Sequence, residues 1–187
     1  MLYRTHVITS IAICLPILSY VGDLNSIAVG AVALGALLPD IDEEHSYIGR
    51  KVPIISITIN KIFGHRGITH SLLVFAILFS LSTYTKSHIL GGIALGYFLH
   101  LFEDYFSDAG IKWFQPFIKK DFKVPEVLRY KVGGFKEHII LIIVICILFL
   151  EINRIFYFRI YIPIVTTIFN IVWNIIGGIG YSLFRII

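Results

Sequence analysis

Six apolar stretches divide the sequence, and they constrain the fold more than any other feature. They cover residues 7–21, 24–38, 71–84, 88–101, 139–152 and 160–180. Runs of this kind predict helices that are buried or embedded in a membrane. Several are shorter than the roughly 20 residues needed to cross a hydrocarbon layer about 30 Å thick. The shortfall shrinks if each helix continues into its flanking residues, and a re-entrant or half-inserted helix is the alternative.

The balance of residue types favours the membrane interpretation. Hydrophobic residues make up 57% of the 187 residues and charged residues 15%, whereas soluble domains contain about 45–50% and about 25%. The net charge of +4 suits either nucleic acid or a membrane surface. Because the basic residues flank the apolar runs and no recognition-helix or zinc-finger pattern occurs, we expect membrane lipid as a partner and no direct contact with nucleic acid.

These observations predict an all-α fold, namely a polytopic membrane helix bundle of about six apolar helices. No fixed-period repeat, low-complexity tract or linker separates one part from another. We therefore expect a single integral membrane domain over residues 1–187, with a motif-bearing core at 1–138 and C-terminal apolar helices at 139–187.

Lys and Arg residues are unevenly distributed around the apolar runs. If the first helix starts in the cytoplasm, 13 of the 16 basic residues lie in cytoplasmic segments, and the other three are Lys86, Arg154 and Arg159. Positive charge favours the cytoplasmic side of short loops. The sequence therefore predicts a multi-pass protein of the inner, cytoplasmic membrane with both termini in the cytoplasm. The two long polar connections, residues 39–70 and 102–138, also lie on that side.

Histidine and acidic side chains gather on this same side, although the orientation rests on Lys and Arg alone. Two imidazoles flank a guanidinium in the string Gly64-His65-Arg66-Gly67-Ile68-Thr69-His70-Ser71, and His100 and Asp104 share one helix face at i, i+4 spacing. The complete set is His6, Asp40, Asp42, His65, His70, His100, Asp104 and Glu137. Mixed imidazole and carboxylate ligands suit Zn²⁺, Mn²⁺ or Fe, and this many carboxylates allow one ion or two. The sequence thus predicts a polar metal-site mouth on the cytoplasmic side of the bundle.

Each of these residues also has a simpler explanation. The segment Pro39–Asp42 could only end a helix and solvate a turn. His6 could anchor a helix start, His100 and Asp104 could pair with each other at a helix end, and Glu137 could compensate a helix dipole. The convergence of all of them on one side favours a shared metal site over separate explanations.

These strings resemble the YdjM-like family of membrane-bound, metal-dependent hydrolases, which are described as LexA-binding and inner-membrane-associated. The resemblance covers roughly the first three-quarters of the chain and includes Thr5-His6, Leu38-Pro39-Asp40-Ile41-Asp42, His65-Arg66-Gly67-Ile68-Thr69-His70-Ser71, His100-Leu101-Phe102-Glu103-Asp104 and Gly133-Gly134-Phe135-Lys136-Glu137. It implies a helical membrane protein with metal-assisted hydrolase chemistry. Position by position, it implies metal ligands at His6, Asp40, His65, His70, His100 and Asp104, with Asp42 and Glu137 next.

The leading hypothesis is hydrolysis of a phosphoester in a lipid or lipid-linked substrate at the cytoplasmic leaflet. A divalent metal, Zn²⁺ in the first place, would activate a water molecule and polarise a phosphoryl oxygen. Asp42 or Glu137 would act as the general base. Arg66 would bind the phosphate through its planar guanidinium, although a contact with a lipid headgroup explains Arg66 equally well.

Two rival functions need no hydrolysis. The same ligands could move ions or stabilise the fold in a metal-binding transport or scaffold protein, because acids and histidines inside a membrane also mark ion pathways. The basic loops could instead bind a cytoplasmic regulatory protein, as the resemblance implies. Ligands spread along the depth of the bundle favour transport, whereas ligands clustered at one mouth favour hydrolysis.

Overall fold

A computed structural model describes residues 1–155 and 163–184 of the chain. Over these residues the chain is helical, with no strand beyond two isolated β-bridges, so the predicted all-α class is confirmed. Short 3-10 helices occupy Leu38–Asp42, Gly49–Lys51, Ile68–His70 and Glu126–Leu128. The α-helices in this part of the chain are α1 (Tyr3–Val21), α2 (Ser26–Gly35), α3 (Pro53–Phe63), α4 (Leu72–Thr85), α5 (His88–Tyr105), α6 (Phe135–Ile155) and α7 (Pro163–Phe184).

Each of the six apolar runs corresponds to a helix, and one helix was not predicted. The unpredicted helix, α3, lies inside the polar connection 39–70, where Pro53 occupies its first turn. Proline is favoured at that position because a backbone N–H there would have no hydrogen-bond partner inside the helix. The start of the last run, residues 160–162, and two residues of the charge count, Arg159 and Arg185, lie outside the described residues.

Within the described residues, α1 and α6 are long and apolar enough to cross a membrane. Helix α2 has 10 residues, which at about 1.5 Å per residue reach only half of a hydrocarbon layer about 30 Å thick. The prediction of six membrane-spanning helices is therefore not confirmed, because a helix can be apolar without being long enough to span.

Helix α6 has the inverse pattern of a helix in a soluble protein. Its apolar side chains face outward, and Ile142, Ile143 and Phe149 are each more than half exposed. The buried residues of α6 are Glu137 and Glu151. An apolar exterior with buried acids suits a helix that contacts lipid on the outside and polar groups inside the bundle.

Small residues bring α2 and α5 close together. Side chains larger than hydrogen do not fit at Gly35 or Gly96, because a Cβ at Gly35 would overlap the carbonyl of Ile93 and a Cβ at Gly96 would overlap that of Val32. Small residues let helix backbones approach closely in membrane proteins. This close packing sets the end of α2 directly beside the C-terminal half of α5, where His100 and Asp104 lie.

We predict that Gly35→Ala destabilises the protein whereas Gly30→Ala, on the same helix, does not. The added methyl group at position 35 forces backbones apart, and overpacking of this kind costs about 1–3 kcal/mol. Nothing lies within 4 Å of a Cβ at Gly30, so alanine there should be neutral or stabilising by up to about 1 kcal/mol. Thermal unfolding of both variants in the same detergent measures the difference. Equal melting temperatures would contradict the close α2–α5 packing.

Candidate metal centre

Three buried imidazoles from separate parts of the fold converge at one end of the helices. His6 comes from the first turns of α1, His70 from the 3-10 helix before α4, and His100 from α5, and all are at most 1% exposed. The rings of His6 and His100 stack with their centroids 3.8 Å apart. The ring of His70 meets that of His100 edge-on, with the centroids 5.4 Å apart.

An acceptor holds the Nδ1 atom of each imidazole. The partner is Glu103 Oε2 for His6, at 2.5 Å, and Asp42 Oδ2 for His70, at 3.2 Å. His100 Nδ1 lies 2.7 Å from the carbonyl oxygen of Ala36. Since a carbonyl only accepts, His100 carries its proton on Nδ1 and leaves the Nε2 lone pair free. Metal-binding histidines are oriented in this manner.

The Nε2 atoms point toward two carboxylates. Asp40 Oδ1 lies 3.5 Å from His70 Nε2 and 3.7 Å from His100 Nε2, and Asp104 Oδ1 lies 3.5 Å from His6 Nε2. The Nε2 atoms of His70 and His100 are buried and have no hydrogen-bond partner among the described residues. Such orphaned buried nitrogens are costly unless another group satisfies them.

Two overlapping groups of side chains can hold a metal ion. One is His6, His100 and Asp104, the other is Asp40, His70 and His100, and the ligand atoms within each group lie within 4.8 Å of one another. Metal–ligand bonds of about 2.0–2.2 Å place neighbouring ligand atoms about 3–3.5 Å apart. Ligand atoms that are up to 4.8 Å apart would have to move together by about 1 Å or more to reach that value. The imidazole and carboxylate donors of both groups could therefore hold a metal ion.

The structure brings five of the six residues predicted as metal ligands into these groups. The sixth, His65, lies outside both groups and its side chain is 43% exposed. Its Nδ1 atom lies 3.1 Å from Asp42 Oδ1, and its ring meets that of His70 edge-on at 6.1 Å between centroids. His65 thus borders the cluster from the solvent side.

Asp42, predicted as a general base, is fully buried and surrounded by donors. Besides the two imidazoles of His65 and His70, Asp42 Oδ2 accepts hydrogen bonds from the Thr69 hydroxyl at 2.5 Å and the Arg66 backbone N–H at 2.9 Å. A carboxylate with this many partners holds other groups in place. Asp42 therefore fixes the loop that presents both histidines.

Glu137, the other predicted base, connects the first turn of α6 to the N-terminal segment. Its two oxygens accept the backbone N–H groups of Leu2, at 2.6 Å, and Gly133, at 2.7 Å. Residue Leu2 directly precedes α1, so α1 and α6 begin at the same end of the bundle. Glu137 positions His6 through the start of α1.

Arg66 contacts the cluster rather than open solvent. Its Nη2 atom lies 2.7 Å from Asp104 Oδ2, and Nη1 donates to Ser107 Oγ and the carbonyl of Gly110. The backbone of Arg66 is in the left-handed region, with a φ of 56°, a conformation that costs energy outside glycine. The amino group of Met1 also lies 2.9 Å from Asp104 Oδ1. These two cations balance the charge of Asp104.

Two groups of the cluster were not identified from the sequence. Glu103 is buried and orients His6, and the carbonyl of Ala36 orients His100. A signal for Glu103 was present, because it is three residues from His100 on an otherwise apolar helix and therefore near the same face. No sequence signal marks a particular backbone carbonyl.

The ionisable groups in the loops have shifted pKa values with clear causes. Burial raises the pKa of Asp40, but the neighbouring His100 and His70 imidazoles outweigh it and hold that pKa well below its usual range. Burial likewise opposes ionisation of Asp42, and its histidine and Thr69 partners lower its pKa. Burial also lowers the pKa of His70, yet the carboxylates of Asp40 and Asp42 raise it to about 9.

Comparison with known proteins links the chain to a bacterial membrane family. The family described as YdjM inner membrane protein matches residues 1–177. The uncharacterized protein YvsG of Bacillus subtilis is 38% identical over 140 residues, which are 74% of this chain and 86% of YvsG. The inner membrane protein YdjM of Escherichia coli and that of Shigella flexneri are each 38% identical over 117 residues, 59% of this chain and 59% of each relative. No solved structure shows significant similarity.

These relatives and the two apolar helices α1 and α6 together support association with a membrane. The family match and the identity to the YdjM proteins confirm the resemblance to the YdjM family that the sequence motifs indicated.

We predict that the stabilising contribution of His70 to the metal-free protein decreases as the pH rises. Its pKa in the folded state, about 9, lies above the ordinary value of 6.5. Its stabilising ion pairs are therefore complete below pH 6.5 and are lost as the pH passes through about 9. The shift is worth about 3 kcal/mol at most.

The measurement is the free energy of unfolding in detergent and excess chelator from pH 6 to 10, for the wild type beside His70→Gln. The advantage of the wild type should shrink across this range. An advantage that is constant, or that grows with pH, would contradict the ion pairing of His70 with Asp40 and Asp42.

Proposed function

The chain belongs to the YdjM inner membrane protein family, and we propose that it is a membrane-bound, metal-dependent hydrolase that cleaves a phosphoester in a lipid or lipid-linked substrate. The observation that carries this proposal is the set of three buried imidazoles with Nδ1 held by acceptors and Nε2 turned toward Asp40 and Asp104. The ion would be Zn²⁺, with Mn²⁺ or Fe as alternatives. Because both groups use His100, whose free Nε2 lone pair binds a single ion, they are alternative positions for one ion, and a second ion would need ligands outside them. When bound, the metal supplies a nucleophilic hydroxide at neutral pH and polarises the phosphoryl oxygen.

A solvent-accessible cavity beside the cluster supports a phosphate-containing substrate. The cavity has a volume of about 660 Å³, and Asp40, Arg50 and Arg66 are among its lining residues. Asp40 lines this cavity and also belongs to one of the two ligand groups, so a substrate in the cavity would lie next to the proposed metal position. Guanidinium groups bind phosphate oxygens through charge-assisted hydrogen bonds. Arg66, already paired with Asp104, lies at the junction of the cavity and the cluster.

Apolar and aromatic side chains in the same cavity support a lipid substrate over a free sugar or nucleotide phosphate. Leu2, Tyr3, Tyr47 and Val132 share the wall with the arginines. The rings of Tyr3 and Tyr47 stack with their centroids 4.8 Å apart. Aromatic rings next to basic side chains are typical of the headgroup level of a bilayer.

His65 is the best-placed proton acceptor for the attacking water. It lines the cavity, and its Nδ1 atom lies 3.1 Å from Asp42 Oδ1, so Asp42 can hold the ring with Nε2 available to the substrate side. A carboxylate that orients an imidazole in this manner is a recurring general-base arrangement. In this proposal Asp42 and Glu137 are positioning residues. Asp42 orients His65 and His70, while Glu137 sets the start of α1.

The topology proposed for the chain is multi-pass with cytoplasmic termini. Its support is the common end at which α1 and α6 begin, where Leu2 N–H meets Glu137. In the topology inferred from Lys and Arg, both of these helices start on the cytoplasmic side. The metal cluster and its cavity then face the cytoplasmic leaflet.

Transport and scaffold functions have weaker support. The ligand atoms gather within 4.8 Å at one end of the bundle and do not form a series along its depth, as an ion pathway would. A cytoplasmic regulatory protein could use the basic surface of residues 112–136, but that function gives no role to the orphaned Nε2 atoms of His70 and His100.

We predict that His65→Asn lowers the rate of phosphoester hydrolysis by about 10²–10⁴-fold, the usual contribution of a general base, without reducing the metal content. The assay uses Zn²⁺-loaded protein in vesicles that contain a phosphomonoester lipid or a phosphodiester lipid. Elemental analysis of the same samples measures metal content. Chelation should abolish hydrolysis by the wild type.

His88→Asn is the matched control. His88 is 70% exposed in its side chain and lies at the other end of α5, beside Asp23. This variant should retain the wild-type rate. Hydrolysis by wild-type protein that survives chelation, or a His65→Asn variant as active as His88→Asn, would overturn the proposed chemistry.

A further inference from the structure

A second cavity, of about 440 Å³, lies between α1, α6 and α7. Its walls are apolar side chains such as Ala12, Ile13, Ile147 and Val172, together with the ring of Trp173. None of its lining residues belongs to the metal-ligand groups. Its volume lies within the range of about 300–1,000 Å³ found for small-molecule sites.

One buried acid faces this apolar space. Glu151 of α6 is 3% exposed, and its Oε2 atom has no hydrogen-bond partner among the described residues. The hydroxyl of Thr9, also on the cavity wall, is buried without a partner as well. Burying a polar group without a hydrogen bond is unfavourable, because its hydrogen bonds to water are lost and not replaced. Glu151 is therefore a costly residue for a wall that only packs helices together.

The surroundings of Glu151 restrict the ligand that can satisfy it. An anionic head would meet the carboxyl group itself. A cationic head would add a second positive charge near Arg154, which does not line the cavity but lies 4.5 Å from the ring centroid of the wall residue Trp173. A neutral hydroxyl can donate to a carboxylate, and it can donate to or accept from a carboxylic acid. It complements Glu151 without adding a charge to an apolar cavity.

We propose that this cavity binds an apolar molecule with a single hydroxyl group, which donates a hydrogen bond to Glu151 while its hydrocarbon chain lies between α1, α6 and α7. The proposed ligand is thus a long-chain alcohol. The apolar exterior of α6 would allow such a ligand to reach the cavity from a membrane. This site is independent of the metal centre and of the hydrolysis proposed there.

Fluorescence quenching tests the proposal directly, because Trp173 lines the cavity and the chain has only two tryptophans. The Trp113→Phe variant leaves Trp173 as the reporter. This protein, in lipid nanodiscs, is titrated with a bromine-terminated dodecanol, whose bromine quenches nearby indole fluorescence. We expect saturable quenching. The additional substitution Glu151→Leu should raise the half-saturating concentration at least tenfold, and Glu151→Gln, which keeps hydrogen-bonding groups, should raise it less.

Two further probes separate the hydroxyl from the chain and from charge. Bromine-terminated dodecane should quench only in proportion to its bulk concentration in the bilayer. Bromine-terminated dodecylamine should bind more weakly than the alcohol. Saturation by the alkane equal to that by the alcohol, an amine that binds more tightly, or an unchanged titration in Glu151→Leu would each overturn the proposal. If Glu151→Leu elutes as aggregate in size-exclusion chromatography, the comparison of the three probes on the Trp113→Phe protein decides.

Discussion

Burial of ionisable side chains in an apolar bundle is the constraint on which the rest of this structure depends. Taking charges out of water is expensive, and a protein offsets the cost by pairing them or by binding a metal. Here the imidazoles of His6, His70 and His100 are buried next to Asp40 and Asp104. The contacts on the Nδ1 side of each ring are made by the protein. On the Nε2 side of His70 and His100, the part of the chain that the structure describes offers carboxylates at 3.5 Å or more and no hydrogen-bond partner. The cluster is therefore complete on its outer side and open toward its centre.

The packing of the helices explains how this cluster is held. Close approach of α2 and α5 at Gly35 and Gly96 places the carbonyl of Ala36 within hydrogen-bonding distance of His100. Asp42, the last residue of the 3-10 helix that follows α2, binds both His65 and His70 and so holds the loop that contains them. The acceptors that orient the imidazoles, namely Glu103, Asp42 and the carbonyl of Ala36, lie on the packed helices or on the segment that follows α2. A change in packing and a change in ligand geometry are therefore coupled, as in other metal sites with an outer layer of oriented partners.

Much of this arrangement could be predicted from the sequence, and the failures have physical causes. Apolar runs located six helices, because hydrophobic periodicity and length are local properties. The i, i+4 spacing of His100 and Asp104 placed them on one face, as found. The short helix α3 was missed because its polar flanks resemble a loop. Residue types alone could not separate ligands from the groups that orient them, and the hydrogen bonds that Asp42 accepts from Arg66 and Thr69 could not be read from its position in the sequence.

The lengths of the helices, which decide how many of them can span a membrane, could also not be predicted from the sequence. The runs gave the count of apolar segments, but the length of each helix depends on where tertiary contacts end it. Helix α2 ends at Gly35, where the chain turns into the 3-10 helix that presents Asp40 and Asp42. Helix α2 therefore stops short because the chain turns there to place Asp40 and Asp42 at the cluster.

X-ray absorption spectroscopy of the purified protein, loaded with one equivalent of Zn²⁺, reports directly on whether the converging imidazoles and carboxylates form a metal site. We expect nitrogen and oxygen ligands at about 2.0–2.2 Å without sulfur, with the outer-shell scattering of several imidazoles, and fewer imidazoles in His100→Ala. A spectrum with mostly water ligands, or one that His100→Ala leaves unchanged, would contradict this metal site.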